Sequence, residues 1–192
     1  MVAKKYVIGN FKGGVGKSTC AQMLGFESAV NEGKRTLIID LDMQGNTSDV
    51  MNLTHMNFTN EEGGGEGEPI VYENTVTDVL INNLPPKEAV YKVINNLYIL
   101  PADMSFEMYD DWIKDQYNDS LSQFKYMKEK LEPLFDEFDV IYLDVPPFFP
   151  SLLPPFHFPP RRIVHCRQTF ITFLQKKKTT IKINKYNKTI IN

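Results

Sequence analysis

The sequence predicts an α/β fold, a parallel β-sheet flanked by helices. Three observations lead there. Short apolar runs rich in β-branched residues recur along the first 150 positions, and two of them end on an acid, Asp40 and Asp144. A glycine-rich loop follows the first run and opens a helical stretch. Segments of helical spacing lie between the runs, as strand–helix–strand units require.

The elements follow in order. Tyr6-Val7-Ile8-Gly9 is a short strand leading into the glycine-rich loop. Ser18 to Val30 reads as a helix with Ala21, Leu24 and Ala29 among its apolar positions, and Gly33 is its stop signal. Thr36-Leu37-Ile38-Ile39-Asp40 is a continuous apolar strand of the kind covered on both faces. Residues 61–68 (EEGGGEGE) form an exposed glycine/glutamate loop. Val76 to Asn83 is a short helix with Thr75 and Asp78 spaced as a capping box. Leu97 to Leu100 is a strand stopped by Pro101. Leu121 to Phe135 is a helix with Leu121, Phe124, Met127, Leu131 and Leu134 on one stripe. Val140 to Asp144 is a further apolar strand.

Composition divides the chain. Residues 1–150 hold 12 Lys/Arg and 24 Asp/Glu, whereas residues 151–192 hold 9 Lys/Arg and no acid. Seven of the 12 prolines fall between Pro146 and Pro160. The predicted organisation is an α/β portion at 1–148 and a Pro-rich, then basic, tail at 149–192 onto which no regular fold is forced. No apolar run is long enough for a membrane span, and the N-terminus has no signal-peptide pattern, so the expectation is a cytoplasmic protein without a membrane role. Two cysteines make neither a disulfide framework nor a metal site.

The loop Lys12-Gly13-Gly14-Val15-Gly16-Lys17-Ser18-Thr19 carries the chemistry. Glycines let backbone amides approach phosphate oxygens, and a helix N-terminus behind them favours an anion. Lys17 is placed to neutralise the β/γ-phosphates and Ser18 to offer a hydroxyl to Mg²⁺. The usual pattern begins with glycine where this chain has Phe11. The alternative is a glycine turn with no ligand. Asp40 and Asp42, in Asp40-Leu41-Asp42-Met43-Gln44-Gly45-Asn46, stand where ligands gather in open α/β sheets, at a strand's carboxyl end. Either could instead cap a turn. Asp144, after four apolar residues and before Val145-Pro146-Pro147, has the Walker B arrangement of a Mg²⁺-holding acid.

Taken together, KGGVGKST, LIIDLDMQGN, NLYILPADMSF and FDVIYLDVPP resemble the ParA/Soj/MinD-type partition ATPases with a deviant Walker A motif, over about Lys4 to Pro147. The DLD-x-QGN form is closer to ParA than to MinD. The resemblance implies a P-loop NTPase-like sheet, here incomplete because the sequence after Pro147 ceases to match. It implies ATP and Mg²⁺ as cofactors, a homodimer enclosing the nucleotide, a ParB-like centromere-binding partner, and nonspecific DNA. It implies that Lys12 reaches the phosphates of the partner subunit's nucleotide, and that Gly13, Gly14, Val15, Gly16, Lys17, Ser18 and Thr19 cradle the chain's own, with Thr19 on the α-phosphate. Asp42 would orient the attacking water; Ser18, Asp40 and Asp144 would serve Mg²⁺. The doubled lysine and DLDMQGN speak against a small-molecule kinase. The expected function is ATP binding and hydrolysis in plasmid or chromosome partition. The alternatives are a truncated, catalytically inactive nucleotide-binding fragment, with the tail a frameshift product, and a basic-tail module that holds nucleic acid through its positive charge.

Overall fold

The computed structural model describes residues 3–10, 12–59 and 67–147, together with the backbone of three short strands at 163–165, 181–183 and 189–191. Phe11, most of the glycine/glutamate loop and the Pro-rich run lie outside the described residues. The strands are β1 (Lys4–Gly9), β2 (Thr36–Asp40), β3 (Tyr91–Ile94), β4 (Leu97–Leu100), β5 (Val140–Asp144), β6 (Ile163–His165), β7 (Ile181–Ile183) and β8 (Thr189–Ile191). The helices are α1 (Lys17–Phe26), α2 (Asn46–Thr59), α3 (Val76–Leu80), α4 (Glu107–Gln116) and α5 (Ser120–Leu131).

Six strands form one sheet in the order β3-β4-β2-β5-β1-β6, and β7 pairs with β8 in a separate hairpin. β4, β2, β5, β1 and β6 run parallel, and only β3 runs antiparallel, against β4. β1 and β2, joined through α1, are not neighbours: β5 lies between them. This insertion brings the carboxyl ends of three strands side by side, with Ile8 opposite Asp144 and Asp144 opposite Asp40.

Both faces are covered, which accounts for the unbroken apolar runs. Leu37, Ile39, Ile141 and Leu143 point into one core with Val76, Leu80, Tyr109, Ile113, Met127 and Leu131 from α3, α4 and α5. Ile8, Ile38, Val140 and Tyr142 point the other way, against Cys20, Ala21 and Met51 of α1 and α2. The alternation along β2 follows from the two-residue period of a strand.

Several expectations shift at their edges. The helix foreseen over Ser18–Val30 is α-helical only to Phe26 and widens into a π-helical turn at Glu27–Asn31, where Ser28 bonds the buried Tyr142 hydroxyl at 2.9 Å. Gly33 takes φ +64° directly after it. The α3 helix ends at Leu80 rather than Asn83, and Thr75 and Asp78 form the foreseen capping box. α5 stops at Leu131 and tightens into a 3₁₀ turn at Glu132–Leu134, because Pro133 lacks the amide an α-helix would need. Leu121, foreseen on its apolar stripe, is exposed, whereas Phe124, Met127, Leu131 and Leu134 are buried. α2, α4 and β3 are additions. α2 reads NTSDVMNLTHMNFT, full of residues that are poor in helix interiors, so it is held by packing and side-chain bonds rather than by propensity. In the tail, β6 extends the sheet beside β1 in parallel register, Val7 opposite Ile163.

Candidate functional site

β1 ends at Gly9, and α1 begins at Lys17 with Gly16 as its N-cap in the left-handed region (φ 82°). Gly14 is also left-handed, at φ 69°. A side chain is disfavoured at both positions, so the run of glycines is a backbone requirement. The loop thus leads directly into the first turn of a helix, where unpaired amides and the dipole favour anions. Lys12, Gly13, Gly14 and Thr19 are exposed, Val15, Gly16 and Ser18 half-buried, and Lys17 buried. The Lys12 amide donates to Asn10 Oδ1 at 2.9 Å, which pins the loop entrance. A Cβ on Gly13 would come within 3.8 Å of Pro147, so the Val145-Pro146-Pro147 segment lies beside the loop.

Asp144 ends β5 with 1% of its surface exposed. Its Oδ2 accepts the Thr47 hydroxyl at 2.8 Å, while Oδ1 is buried and has no hydrogen-bond partner among the described residues. Burial raises its pKa; the nearby Thr47 and Ser18 hydroxyls and the charge of Lys17 oppose the rise. A buried carboxylate oxygen with an open lone pair, close to a serine hydroxyl and a lysine, has the donor chemistry of a Mg²⁺ site that takes one or two protein ligands and completes its shell with phosphate and water.

Asp40 is fully buried at the end of β2. Oδ1 accepts the Asp42 amide at 3.2 Å, and Oδ2 accepts both the Ser48 amide (3.0 Å) and the Ser48 hydroxyl (2.8 Å). Burial and the neighbouring Asp144 raise its pKa to about 7 despite those bonds. All of its described side-chain hydrogen bonds run to the turn and the start of α2. Asp42, half-buried, accepts the Gln44 amide at 3.0 Å through Oδ1, and its carbonyl accepts from Gly45 at 2.9 Å. Asp40 and Asp42 thus both accept backbone amides of the turn and the start of α2, and Asp42 also lies near enough to Asp144 for its charge to raise that residue's pKa. Gly45, at φ 61°, lies so close to the Ala102 carbonyl that a Cβ would sit 3.1 Å from it.

The fold thus gathers Lys17, Ser18, Asp40, Asp42 and Asp144 at one edge of the sheet, with Lys12 to Gly16 above it. Thr47, Ser48 and Gln22 were not anticipated. Gln22 Nε2 donates to Thr47 Oγ1 at 3.1 Å, and Ser48 Oγ accepts the Ala102 amide at 3.0 Å. The available signal was the place of Thr47 and Ser48 directly after DLDMQGN, where a following helix would turn them back toward the acids.

The family model described as an AAA domain matches residues 3–154. The chain belongs to the ParA-like AAA domain family. It is 30% identical over 147 residues to the chromosome partitioning protein ParA of Myxococcus xanthus, covering 76% of this chain and 45% of that protein. It is 32% identical over 146 residues to the chromosome-partitioning ATPase Soj of Treponema pallidum, covering 76% and 49%. Among solved structures, a variant of Cyanothece McdA in complex with ATP superposes with a TM-score of 0.59 at 26% identity, over 78% of this ParA-like chain and 51% of McdA. The ParA-like chain spans about half the length of the curated relatives it matches. Among the described residues, no helix is long and apolar enough to cross a membrane.

Proposed function

We propose that this ParA-like chain binds ATP with Mg²⁺ at residues 12–19 and hydrolyses it as part of an ATP-dependent, dimerising partition ATPase. The convergence of Lys17, Ser18 and Asp144 at the adjacent ends of β1 and β5, with Asp42 on the turn after β2, carries the reading. Lys17 and the amides of Gly13 to Ser18 hold the β- and γ-phosphates, and Thr19 takes the α-phosphate. Ser18 Oγ and Asp144 Oδ1 would hold the cation, which would supply positive charge against the phosphates. Asp40 supports that shell from behind by fixing the Asp42 amide and the start of α2. Asp42 orients the attacking water. Lys12, exposed at the loop entrance, reaches the nucleotide of a second copy in a homodimer. A ParB-like partner, nonspecific DNA and a cytoplasmic location follow from the family reading and stand or fall with it.

The test is binding of a fluorescent ATP analogue to the purified 192-residue chain, with and without Mg²⁺. Removing a charged partner of this kind costs about 2–5 kcal/mol, so Lys17→Ala should weaken binding by about 30-fold or more. Equal affinity of the two proteins would refute the assignment.

A further inference from the structure

We propose that Thr47 is a positioning residue for Asp144, orienting that carboxylate so that Oδ1 alone is left to a divalent cation. The inference rests on the nucleotide-binding reading and deepens it.

Thr47 is the second residue of α2 and has no exposed surface. Its hydroxyl has one proton and two lone pairs. Gln22, on α1, donates an amide hydrogen to that oxygen at 3.1 Å, and the hydroxyl donates its proton to Asp144 Oδ2 at 2.8 Å. The chain has a single consistent direction. An ionised carboxylate only accepts, so the threonine must donate to it, and the glutamine must then present its NH₂ rather than its carbonyl. The result is a carboxylate clamped at one oxygen while the other is buried with no hydrogen-bond partner among the described residues. A free Asp side chain could turn to any angle about its last bond, whereas here any angle that takes an oxygen away from Thr47 costs a buried hydrogen bond, so the plane of the carboxylate is fixed.

The relay also joins three elements. α1 carries the phosphate loop at its start, α2 begins right after the Asp42 turn, and β5 ends on Asp144. A movement of the turn that shifts α2 by a fraction of a bond length is felt at the Asp144 carboxylate through Thr47. Outer partners of metal ligands commonly change metal affinity about 10–100-fold when removed.

The experiment measures the Mg²⁺ concentration needed for half-maximal binding of a fluorescent ATP analogue by the full chain, alongside binding in excess EDTA. Thr47→Val keeps the shape and removes the hydroxyl. It should raise the Mg²⁺ requirement about tenfold, with EDTA binding unchanged, and Thr47→Ser should restore it. Gln22→Leu leaves Thr47 in place and should shift the requirement in the same direction by less, which keeps the test valid if Thr47→Val does not fold. A wild-type Mg²⁺ requirement in a folded Thr47→Val or in Gln22→Leu, or an equal loss with and without Mg²⁺, overturns the role of Thr47 alone. Absence of any Mg²⁺-dependent binding in the wild-type chain overturns the nucleotide-binding reading, and this inference with it.

Discussion

Asp40 and Asp144 are register partners on adjacent parallel strands, so two buried carboxyl groups stand side by side at the head of the sheet. They are handled differently. Asp40 is closed off by the Ser48 amide and hydroxyl and the Asp42 amide; Asp144 keeps one buried oxygen, Oδ1, without a hydrogen-bond partner among the described residues. The first organises backbone, and the second is available for chemistry.

That difference predicts a pH dependence. Asp40 holds its proton up to about pH 7 in the folded chain, whereas the ordinary value is 3.8. Between these limits the folded state binds more protons than the unfolded one, so stability falls as pH rises and levels off above about 7. The raised pKa of Asp144 acts with the same sign. Urea denaturation without nucleotide from about pH 5 to about pH 8 should show this slope, and Asp40→Asn should flatten it. An equal slope in both proteins would assign the dependence to other groups.

Lys12 is exposed and outside the buried cluster, so Lys12→Ala should leave nucleotide affinity within about fivefold, as expected for a surface charge. It should nonetheless abolish nucleotide-dependent dimerisation, followed by light scattering. Persistence of the dimer would remove Lys12 from the interface.

Gly25 is buried where α1 crosses β2, and a Cβ there would lie 2.6 Å from Ile38 Cδ1. Gly25→Ala gains about 1 kcal/mol of helix propensity and loses about 1–3 kcal/mol to overpacking, a net destabilisation of about 1 kcal/mol. In an Ile38→Val background, which removes Cδ1 and leaves only the γ carbon at 2.9 Å, the loss should shrink. Simple additivity of the two changes would contradict the contact.

Thr75 accepts the Thr77 amide, and Asp78 accepts the Thr75 amide at 2.8 Å. Thr75→Ala should cost about 1 kcal/mol. Thr75→Ala and Asp78→Ala together should cost less than their sum, because each supports the same helix start. Additive losses in thermal denaturation would show two independent caps.

The strands and the phosphate loop were legible because their signals are local. A run such as Leu37-Ile38-Ile39 can be buried only between two layers, and Gly14 and Gly16 adopt backbone angles that few other residues tolerate. α2 was not legible, since Asn and Thr recur through its interior and its apolar positions are few; its first turn is held by bonds to Asp40 and Asp144, residues outside the helix. The stop of α5 and the widening of α1 were likewise missed at their ends, where one proline or one buried serine decides.

The sequence alone determined where the loop needs glycine and which strand ends carry acids, because backbone freedom and side-chain chemistry belong to single residues. Only the tertiary structure decided that β5 lies between β1 and β2, that Asp40 is sealed while Asp144 stays open, and that Gln22 and Thr47 complete the site. Those outcomes depend on pairings across more than a hundred residues, such as Ile8 with Asp144. The free energy of burying both faces of one sheet selects such pairings, and no short window of sequence contains it.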